Sequence, residues 1–196
     1  THHHVFIDRG EELTNRHQGV QALSTGSAVH PNLIQRVRQR GISAGDGEKV
    51  YRHEIYVDSC ATNSFGIMMY KSRKCPVTEN RIFGTGYLAI GVGTVSEGVG
   101  DVIVSKNFIH LQAREPDTRW KEYGEQSGAY CVRVTWGGEN IEYVDNVLIA
   151  QGRDGGMVRG VWFCPGPSIR SVAFRRNTIK DIAENQATSQ LGGIVI

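Results

Sequence analysis

The sequence predicts an all-β chain wound as a parallel β-helix, on three observations. A phrase of the form apolar-x-apolar-x-x-Asn-x-Ile recurs, most clearly as VIVSKNFIH over residues 102–110. A second phrase, which starts at a glycine and runs into alternating apolar residues, follows each copy of the first. No helical pattern long enough for a βαβ crossover lies between these strands, so winding the chain into coils is the remaining way to place equivalent strands side by side.

The asparagine of the first phrase predicts a ladder inside the coils. Its position is taken by Asn80, Asn107, Asn146 and Asn177, and we assign Cys60 to it in a fifth copy at residues 55–62. The steps of 20, 27, 39 and 31 residues exclude a strict solenoid and fit fixed strands joined by variable loops. Coils stacked about 4.8 Å apart would bring these side chains on top of one another, where each amide can bond to backbone groups and to the next Asn.

The second phrase predicts which strand residues face the interior. It occurs at residues 66–70, 86–92, 128–134, 160–164 and 193–196. Strand alternation assigns inward positions to Ile67, Met69, Ile90, Val92, Val132, Val134, Val161, Phe163, Ile194 and Ile196. The outward positions are then Met68, Tyr70, Ala89, Gly91, Cys131, Arg133, Trp162, Cys164 and Val195.

The first 47 residues form an irregular first coil or cap in this prediction, and residues 48–196 hold the clear coils of a single domain. Residues 5–10 suggest an early strand and turn, and residues 19–23 suggest an early copy of the second phrase. Residues 31–40 (PNLIQRVRQR) predict a short helix, since Leu33, Ile34 and Val37 share one helical face. We expect about five to seven coils. The apolar end GGIVI is what we expect of a piece of a larger protein or of an edge covered by a partner.

Composition and charge limit the classes of partner that the sequence supports. The chain has 196 residues, 22 basic against 20 acidic, and a predicted pI near 8.4, without a basic stripe that would favour nucleic acid. No apolar run approaches the roughly 18 residues of a membrane-spanning helix. The four cysteines form no CxxC pair, which favours small buried thiols over a zinc or redox site and leaves up to two disulfides open.

Three copies of the first phrase, VIVSKNFI, IEYVDNVL and VAFRRNTI, resemble the repeats of right-handed parallel β-helix proteins of the pectin-lyase-like superfamily. The resemblance covers residues 48–196 and implies right-handed coils. The superfamily includes lyases, hydrolases, epimerases and non-catalytic fibres, so the resemblance indicates the fold more than the function. The NTD, DD, GHG and RIK signatures of polygalacturonases and the DPHD signature of mannuronan epimerases do not occur. Neither are the calcium-site aspartates of pectate lyases identifiable, so no metal or cofactor is supported by a motif.

A candidate groove lies on the outward side of the second phrase, where small residues are flanked by aromatic rings and Arg133. The longest insertion, residues 113–127 (AREPDTRWKEYGEQS), directly precedes the strand of Arg133 and could wall that groove. The candidate substrate-binding residues are Tyr70, Arg114, Arg119, Trp120 and Trp162. The candidate catalytic residues are Arg133, His110 and Tyr123. The acids Asp145, Asp154, Asp181 and Glu184 form no convincing catalytic pair.

These observations lead to two hypotheses. The first is an extracellular or cell-surface polysaccharide lyase or glycoside hydrolase that acts on an acidic glycan. Arg133 would neutralise the uronate carboxylate, Tyr123 or His110 would remove the C5 proton, and aromatic side chains would stack on sugars. The alternative is a non-catalytic β-helix, such as a fibre, a tailspike-like shaft or an adhesive module, which could form a homo-oligomer. An open groove favours the first, and an oligomer with residues 113–127 at its interface favours the second.

Overall fold

The structure is a computed structural model that describes residues 3–6, 18–21, 28–29, 32–37, 40–59, 65–69, 72–86, 88–92, 99–112, 128–135, 138–152, 157–164, 169–183 and 191–195. Within these ranges every regular element is a β-strand, and the strands form three parallel sheets, named A, B and C here. The predicted all-β class is therefore confirmed.

The strands are bounded as follows. Sheet A contains β1 (His3–Phe6), β4 (Asn32–Val37), β7 (Glu54–Ser59), β10 (Arg81–Gly86), β13 (Phe108–Gln112), β16 (Val147–Gly152) and β19 (Thr178–Ala183). Sheet B contains β2 (Gln18–Gln21), β5 (Arg40–Ala44), β8 (Phe65–Met69), β11 (Leu88–Val92), β14 (Gly128–Thr135), β17 (Met157–Cys164) and β20 (Leu191–Val195). Sheet C contains β3 (Ala28–Val29), β6 (Lys49–Tyr51), β9 (Pro76–Thr78), β12 (Val99–Ser105), β15 (Gly138–Val144) and β18 (Ile169–Arg175).

The order of the strands along the chain is cyclic. In the described ranges, each strand of sheet A is followed by one of sheet B, and then by one of sheet C where the chain continues. Within a sheet, each strand pairs in parallel with the strand three elements earlier and three later. This connectivity is compatible with the predicted parallel β-helix, and it is the reason that one phrase of sequence meets its own copies in space.

The core is built from columns of equivalent residues on stacked coils. One column on sheet A consists of Ile34, Ile55, Ile82, Ile109, Leu148 and Ile179. The first five of these side chains are fully buried. Burying such a side chain contributes roughly 1.5–3 kcal/mol to folding, so the repeated apolar positions are the main source of stability. In the neighbouring column, Gly84 has a φ of +129°, and an added Cβ would overlap the carbonyl oxygen of Val57, so this position requires glycine.

The predicted asparagine ladder is present at the corners where a strand of sheet C turns into sheet A. The Asn80 side-chain amide donates to Oδ1 of Asn107 at 2.9 Å and to the carbonyl of Val50 at 3.1 Å. Asn107 donates in the same way to Asn146, and Asn146 to Asn177, at 3.0 and 2.8 Å. Each Oδ1 also accepts the backbone N–H of the residue one coil earlier. The ladder thus joins four successive coils through buried hydrogen bonds.

The assignment of Cys60 to this ladder is wrong. The residue that lies beneath Asn80 is His53, whose backbone N–H donates to Asn80 Oδ1 at 3.0 Å and which is 1% exposed. Ile55 pairs with Ile82, so the first step between corners is 27 residues rather than 20. A histidine at the corner hid the repeat, and the chance spacing of Ile55, Val57 and Cys60 imitated it.

The predicted helix at residues 31–40 is also wrong, because Asn32–Val37 form strand β4 and Arg40 begins β5. Ile34 pairs with Ile55 and Val37 with Val57, so the register shifts by one residue between the two pairs. This β-bulge produces a spacing of three where a regular strand has two, and that spacing imitates a helical face. The β-branched side chain of Ile34 is fully buried in the sheet.

Two further expectations are confirmed in the described ranges. Residues 18–21 form β2 of sheet B and pair with β5, as expected of an early copy of the second phrase. Cys75 and Cys131 are buried thiols, as the cysteine spacing favours. Burial, and then the nearby carboxylates of Glu48 and Asp46, raise the pKa of Cys75 to about 12. Cys60 lies outside the described residues.

Candidate functional site

The predicted inward positions of the second phrase are confirmed on sheet B where the structure describes the side chains, including Met69, which is fully buried. Ile67, Ile90, Val132 and Val161 form one register column, and each is fully buried. In the next column along the strands, Met68, Gly91, Arg133 and Trp162 occupy successive rungs. Arg133 and Trp162 are therefore neighbours on adjacent parallel strands, as the groove prediction requires.

The floor of the predicted groove is not open. Ala89 and Cys131 were expected to face outward from the sheet as a shallow surface, yet both have no exposed area. Gly91 is buried, and the ring of Phe65 packs so closely on it that an added Cβ would overlap the ring. Phe65 and Met68 are themselves only 6% and 7% exposed. Ala89 and Cys131 thus belong to the hydrophobic core, so their outward assignment is wrong. The remaining floor position, Gly91, is covered by Phe65.

The predicted site residues fall into three groups. Tyr70, Arg114, Arg119, Trp120 and Tyr123 lie outside the described residues, and their roles stay predictions. Arg133 and Trp162 have described backbone positions in β14 and β17. His110 alone has a described side chain.

His110 lies on a different sheet from Arg133. It belongs to β13 of sheet A, where its register neighbours are Phe83 and Ile149, as the sequence predicts. The side chain is half-buried, and Nε2 lies 3.3 Å from Oε1 of Gln151, which also accepts from Gln112 at 3.3 Å. His110 and Arg133 are thus not neighbours in one column, and the structure places these two predicted catalytic residues on different sheets.

Around His110, the outer face of sheet A carries an aromatic ladder that the sequence analysis missed. The Tyr56 and Phe83 rings stack with centroids 5.5 Å apart and an interplanar angle of 27°, and the Phe108 ring follows at 5.7 Å. Tyr56 is 37% exposed, and the two phenylalanines are half-buried. The repeat carries a signal for this contact, because Phe83 and His110 each follow the isoleucine of a copy of the first phrase and therefore share a register position.

Charged side chains at the edge hold this ladder in place. The Tyr56 hydroxyl donates to Glu54 Oε1 at 2.7 Å, and this hydrogen bond is the main reason that the pKa of Tyr56 is raised. Arg81 lies 3.6 Å from Glu54 Oε2, and its guanidinium carbon is 5.2 Å from the centre of the Phe83 ring. The charge of Glu54 is therefore balanced locally by Arg81. The Tyr56 ring is tethered through its hydroxyl and remains partly exposed.

A second exposed feature follows the corners from sheet C to sheet A. The residue before each ladder position has a positive φ of 53–58° and a charged side chain: Arg52, Glu79, Lys106, Asp145 and Arg176. The signs alternate along the coils. Arg52 bonds to Glu79 at 2.7 Å, and Arg176 binds Asp145 through two hydrogen bonds of 2.7 and 2.9 Å. The arginine bonds lower the pKa of Glu79 and of Asp145.

These pairs bear on the candidate acids. Asp145 is held ionised by Arg176, so it is a poor general acid at neutral pH. The described residues contain no group of three or more His, Cys, Asp or Glu side chains with the geometry to hold a metal ion. Asp154 and Glu184 lie outside the described residues.

No protein-family model matches the chain, and a search of curated proteins returns no match either. Among the described residues, no helix has the length and apolar character needed to cross a membrane.

Proposed function

We propose that this protein is an extracellular or cell-surface, carbohydrate-active β-helix protein of the right-handed, pectin-lyase-like type, and that it acts on an acidic polysaccharide. The observation that carries the proposal is the register of sheet B, in which Arg133 and Trp162 are adjacent rungs directly after the 113–127 insertion. An arginine beside an indole suits a uronate, because the guanidinium can bind the carboxylate in a bidentate way and the indole can stack on the sugar ring.

Lyase chemistry is favoured over hydrolysis within this proposal. A glycosidase needs two carboxyl groups about 5–10 Å apart, one of them with a raised pKa. Four of the described carboxylates, those of Glu54, Glu79, Glu142 and Asp145, are instead each paired with an arginine. In an elimination, Arg133 neutralises the uronate carboxylate and so acidifies the C5 proton. Tyr123, as its phenolate, removes that proton, the electron pair forms a C4–C5 double bond, and the 4-linked oxygen departs as an alcohol with a proton taken from water.

Tyr123 is a better candidate than His110 for the base. Residue 123 lies in the insertion that immediately precedes the strand of Arg133, whereas His110 is on the outer face of sheet A beside Gln151. Tyr70, Arg114, Arg119 and Trp120 complete the proposed binding surface around the same strand.

The test is the appearance of unsaturated uronate in incubations with polygalacturonate, alginate, hyaluronan and chondroitin sulfate. We expect product from one of these substrates, with a loss of at least about a hundredfold in Arg133→Ala, since one charged transition-state contact is removed. Arg170→Ala, which removes an exposed arginine on sheet C, is the matched control and should retain activity. A wild-type protein that releases neither unsaturated product nor reducing ends from any of the four would overturn the proposal.

A non-catalytic fibre or adhesive module is the second candidate, and the absence of an open floor at Ala89, Gly91 and Cys131 favours it. With Ala89 and Cys131 fully buried, the surface expected to form the groove floor is closed at that point. Sedimentation analysis distinguishes the two candidates. A stable homo-oligomer that is dissociated by charge reversal at Arg114 and Arg119 supports the structural role, and a monomer that cleaves glycan contradicts it.

A further inference from the structure

We propose that the edge of strands β18 and β19 is a docking surface for a β-strand segment of a partner that carries an acidic residue directly before an asparagine. The surface is called the open coil face here and consists of Val172, Phe174, Arg176, Asn177 and Ile179. In the described part of the chain, β18 and β19 are the edge strands of sheets C and A, so each has a neighbouring strand on one side only. This surface is separate from the glycan site proposed on sheet B.

The exposure of core positions is the first argument. Three side chains of the open coil face pack against the hydrophobic core but are only half-buried: Val172, Phe174 and Ile179. Their register partners on the preceding coil, by contrast, have no exposed area. Tyr143, for example, is fully buried and stacks on Phe174 with an interplanar angle of 6°. A further layer of apolar side chains, about 4.8 Å away, would complete the burial of these three residues.

The asparagine ladder supplies the second argument. Asn80, Asn107 and Asn146 each donate through the backbone N–H and the side-chain amide to Oδ1 of the asparagine one coil later. Asn177 accepts from Asn146 in this way and donates to the carbonyl of Tyr143 at 2.8 Å. Among the described residues, no asparagine follows Asn177 in the ladder. A side-chain oxygen at the same position of a docked strand would accept both of its remaining donors.

The charge ladder supplies the third argument. The residues before the ladder positions alternate in sign from coil to coil, in the order Arg52, Glu79, Lys106, Asp145 and Arg176. Arg176 takes the last described place, binds Asp145 on one side and keeps a side chain that is 69% exposed. Opposite charges on neighbouring strands attract and like charges repel, so an acidic residue suits the place next to Arg176.

These requirements define the sequence of the occupant. It needs an apolar residue, any residue, an acid, an asparagine, any residue and an aliphatic residue, in that order. The chain contains this pattern at residues 77–82 (VTENRI) and 143–148 (YVDNVL), where the asparagines are buried within the stack. These two segments are therefore models of the partner strand rather than the partner itself.

A second copy of the chain is a poorer occupant. Strand β1, at the opposite edge of sheet A, begins at His3, which the register aligns with the ladder position. The residue before it in the sequence is also a histidine. An edge of this kind offers neither the acid nor the asparagine that the open coil face requires.

The experiment measures the binding of fluorescent peptides to the full chain by fluorescence anisotropy. The probe has the sequence of residues 139–150 (ENIEYVDNVLIA), and its counterpart carries Asp145→Arg. We expect the wild-type chain to bind the acidic peptide about fivefold more tightly than the counterpart, because the exchange replaces an attraction to Arg176 with a repulsion.

Charge reversal in the protein separates docking from a structural effect. Arg176→Glu should reverse the preference, so that the peptide with Asp145→Arg binds more tightly than the acidic one. Arg52→Glu is the matched control, because Arg52 is 65% exposed and occupies the equivalent corner of a coil with neighbours on both sides. It should bind both peptides like the wild type. Circular dichroism establishes that each variant is folded.

Three results would overturn the inference. The first is that the wild-type chain binds neither peptide or binds both equally. The second is that folded Arg176→Glu keeps the wild-type preference, or that Arg52→Glu loses it. The third is that sedimentation without peptide shows an oligomer that Arg176→Glu dissociates, since a second copy would then occupy this face.

Discussion

Each corner between sheets C and A places two adjacent residues in opposite surroundings. Asn107 is 1% exposed and bonds to both neighbouring coils, whereas Lys106, one residue earlier, is exposed at a positive φ of 55°. The same contrast recurs at Glu79 and Asn80 and is weaker at the next two corners, where Asp145 and Asn177 are half-buried, so an amide ladder and a more exposed charge ladder run in parallel one residue apart. Both look like regular inter-coil bonding, but only the first is protected from water. The difference indicates that the amide ladder supplies stability and that the charge ladder contributes little.

Asn107→Ala is the strongest way to break the buried ladder. It removes the acceptor for the Asn80 backbone and side-chain amides and the donors to Val77 and Asn146. Because buried polar groups are left unpaired on both sides, we expect a loss of about 3–5 kcal/mol in the free energy of unfolding. Urea unfolding measures it. Lys106→Asn at the same corner is the control, since Asn tolerates positive φ, and an equal loss in both variants would contradict the comparison.

Alkaline pH tests how far burial suppresses ionisation of the Cys75 thiol. Its pKa is raised to about 12 by burial, while an unfolded thiol ionises near pH 8.5, so the unfolded state binds fewer protons between these values. The stability contributed by the neutral thiol is complete below pH 8.5 and is lost as the pH rises towards 12. Relative to Cys75→Ala, the wild type should lose about 1.4 kcal/mol for each pH unit in that range. Parallel urea titrations at several pH values measure the gap, and a gap that does not change with pH would show that the thiol is not shielded.

Tyr143→Phe measures how much an unpaired buried hydroxyl near the asparagine ladder lowers the free energy of unfolding. Tyr143 is fully buried and stacks on Phe174 at 4.6 Å, but its hydroxyl has no hydrogen-bond partner. Burial alone raises the pKa of this phenol. Removing the hydroxyl keeps the ring stack and eliminates an unsatisfied polar atom, so we expect a gain of about 1 kcal/mol. Thermal unfolding with Tyr130→Phe alongside provides the check; a destabilised Tyr143→Phe would mean that the hydroxyl is satisfied in solution.

Glu79→Gln should have the smallest effect, because it breaks only an exposed pair with Arg52. The arginine lowers the pKa of Glu79, so any stabilisation is present at neutral pH and lost as the pH falls through that lowered value. We expect a slight decrease in the melting temperature at low ionic strength and no difference in about 1 M salt, where the Debye length is about 3 Å. A large decrease that persists in salt would place the charge ladder on a par with the amide ladder.

The sequence predicted those parts of the fold in which the same physical requirement recurs on every coil. Buried strands need apolar residues at every second position, and a buried corner needs a side chain that can both donate and accept, so Val104, Asn107 and Ile109 leave a readable phrase. The corner at His53 was missed because a different residue ends the ladder there. The strand β4 was missed because a bulge changed its period.

The candidate site was harder to predict for the opposite reason. Outward positions such as Phe83 and Phe108 obey no repeated demand, and their proximity follows from register across coils rather than from local pattern. Strand alternation also assigned Ala89 and Cys131 to the outer face, whereas both lie in the hydrophobic core beside Ile90 and Val132, so two consecutive residues of each strand are buried there.

The equal spacing of the first three corners has a consequence for engineering the protein and for its evolution. His53, Asn80 and Asn107 are separated by 27 residues each, whereas later steps are 39 and 31. A segment of 27 residues thus begins and ends at equivalent positions of two successive coils, so it can be inserted or removed as a unit. Duplicating residues 80–106 in tandem should lengthen the rod by one layer of about 4.8 Å while presenting the same acceptor to the next Asn. Such a chain can lengthen by gene duplication, because the added coil repeats the existing contacts between coils.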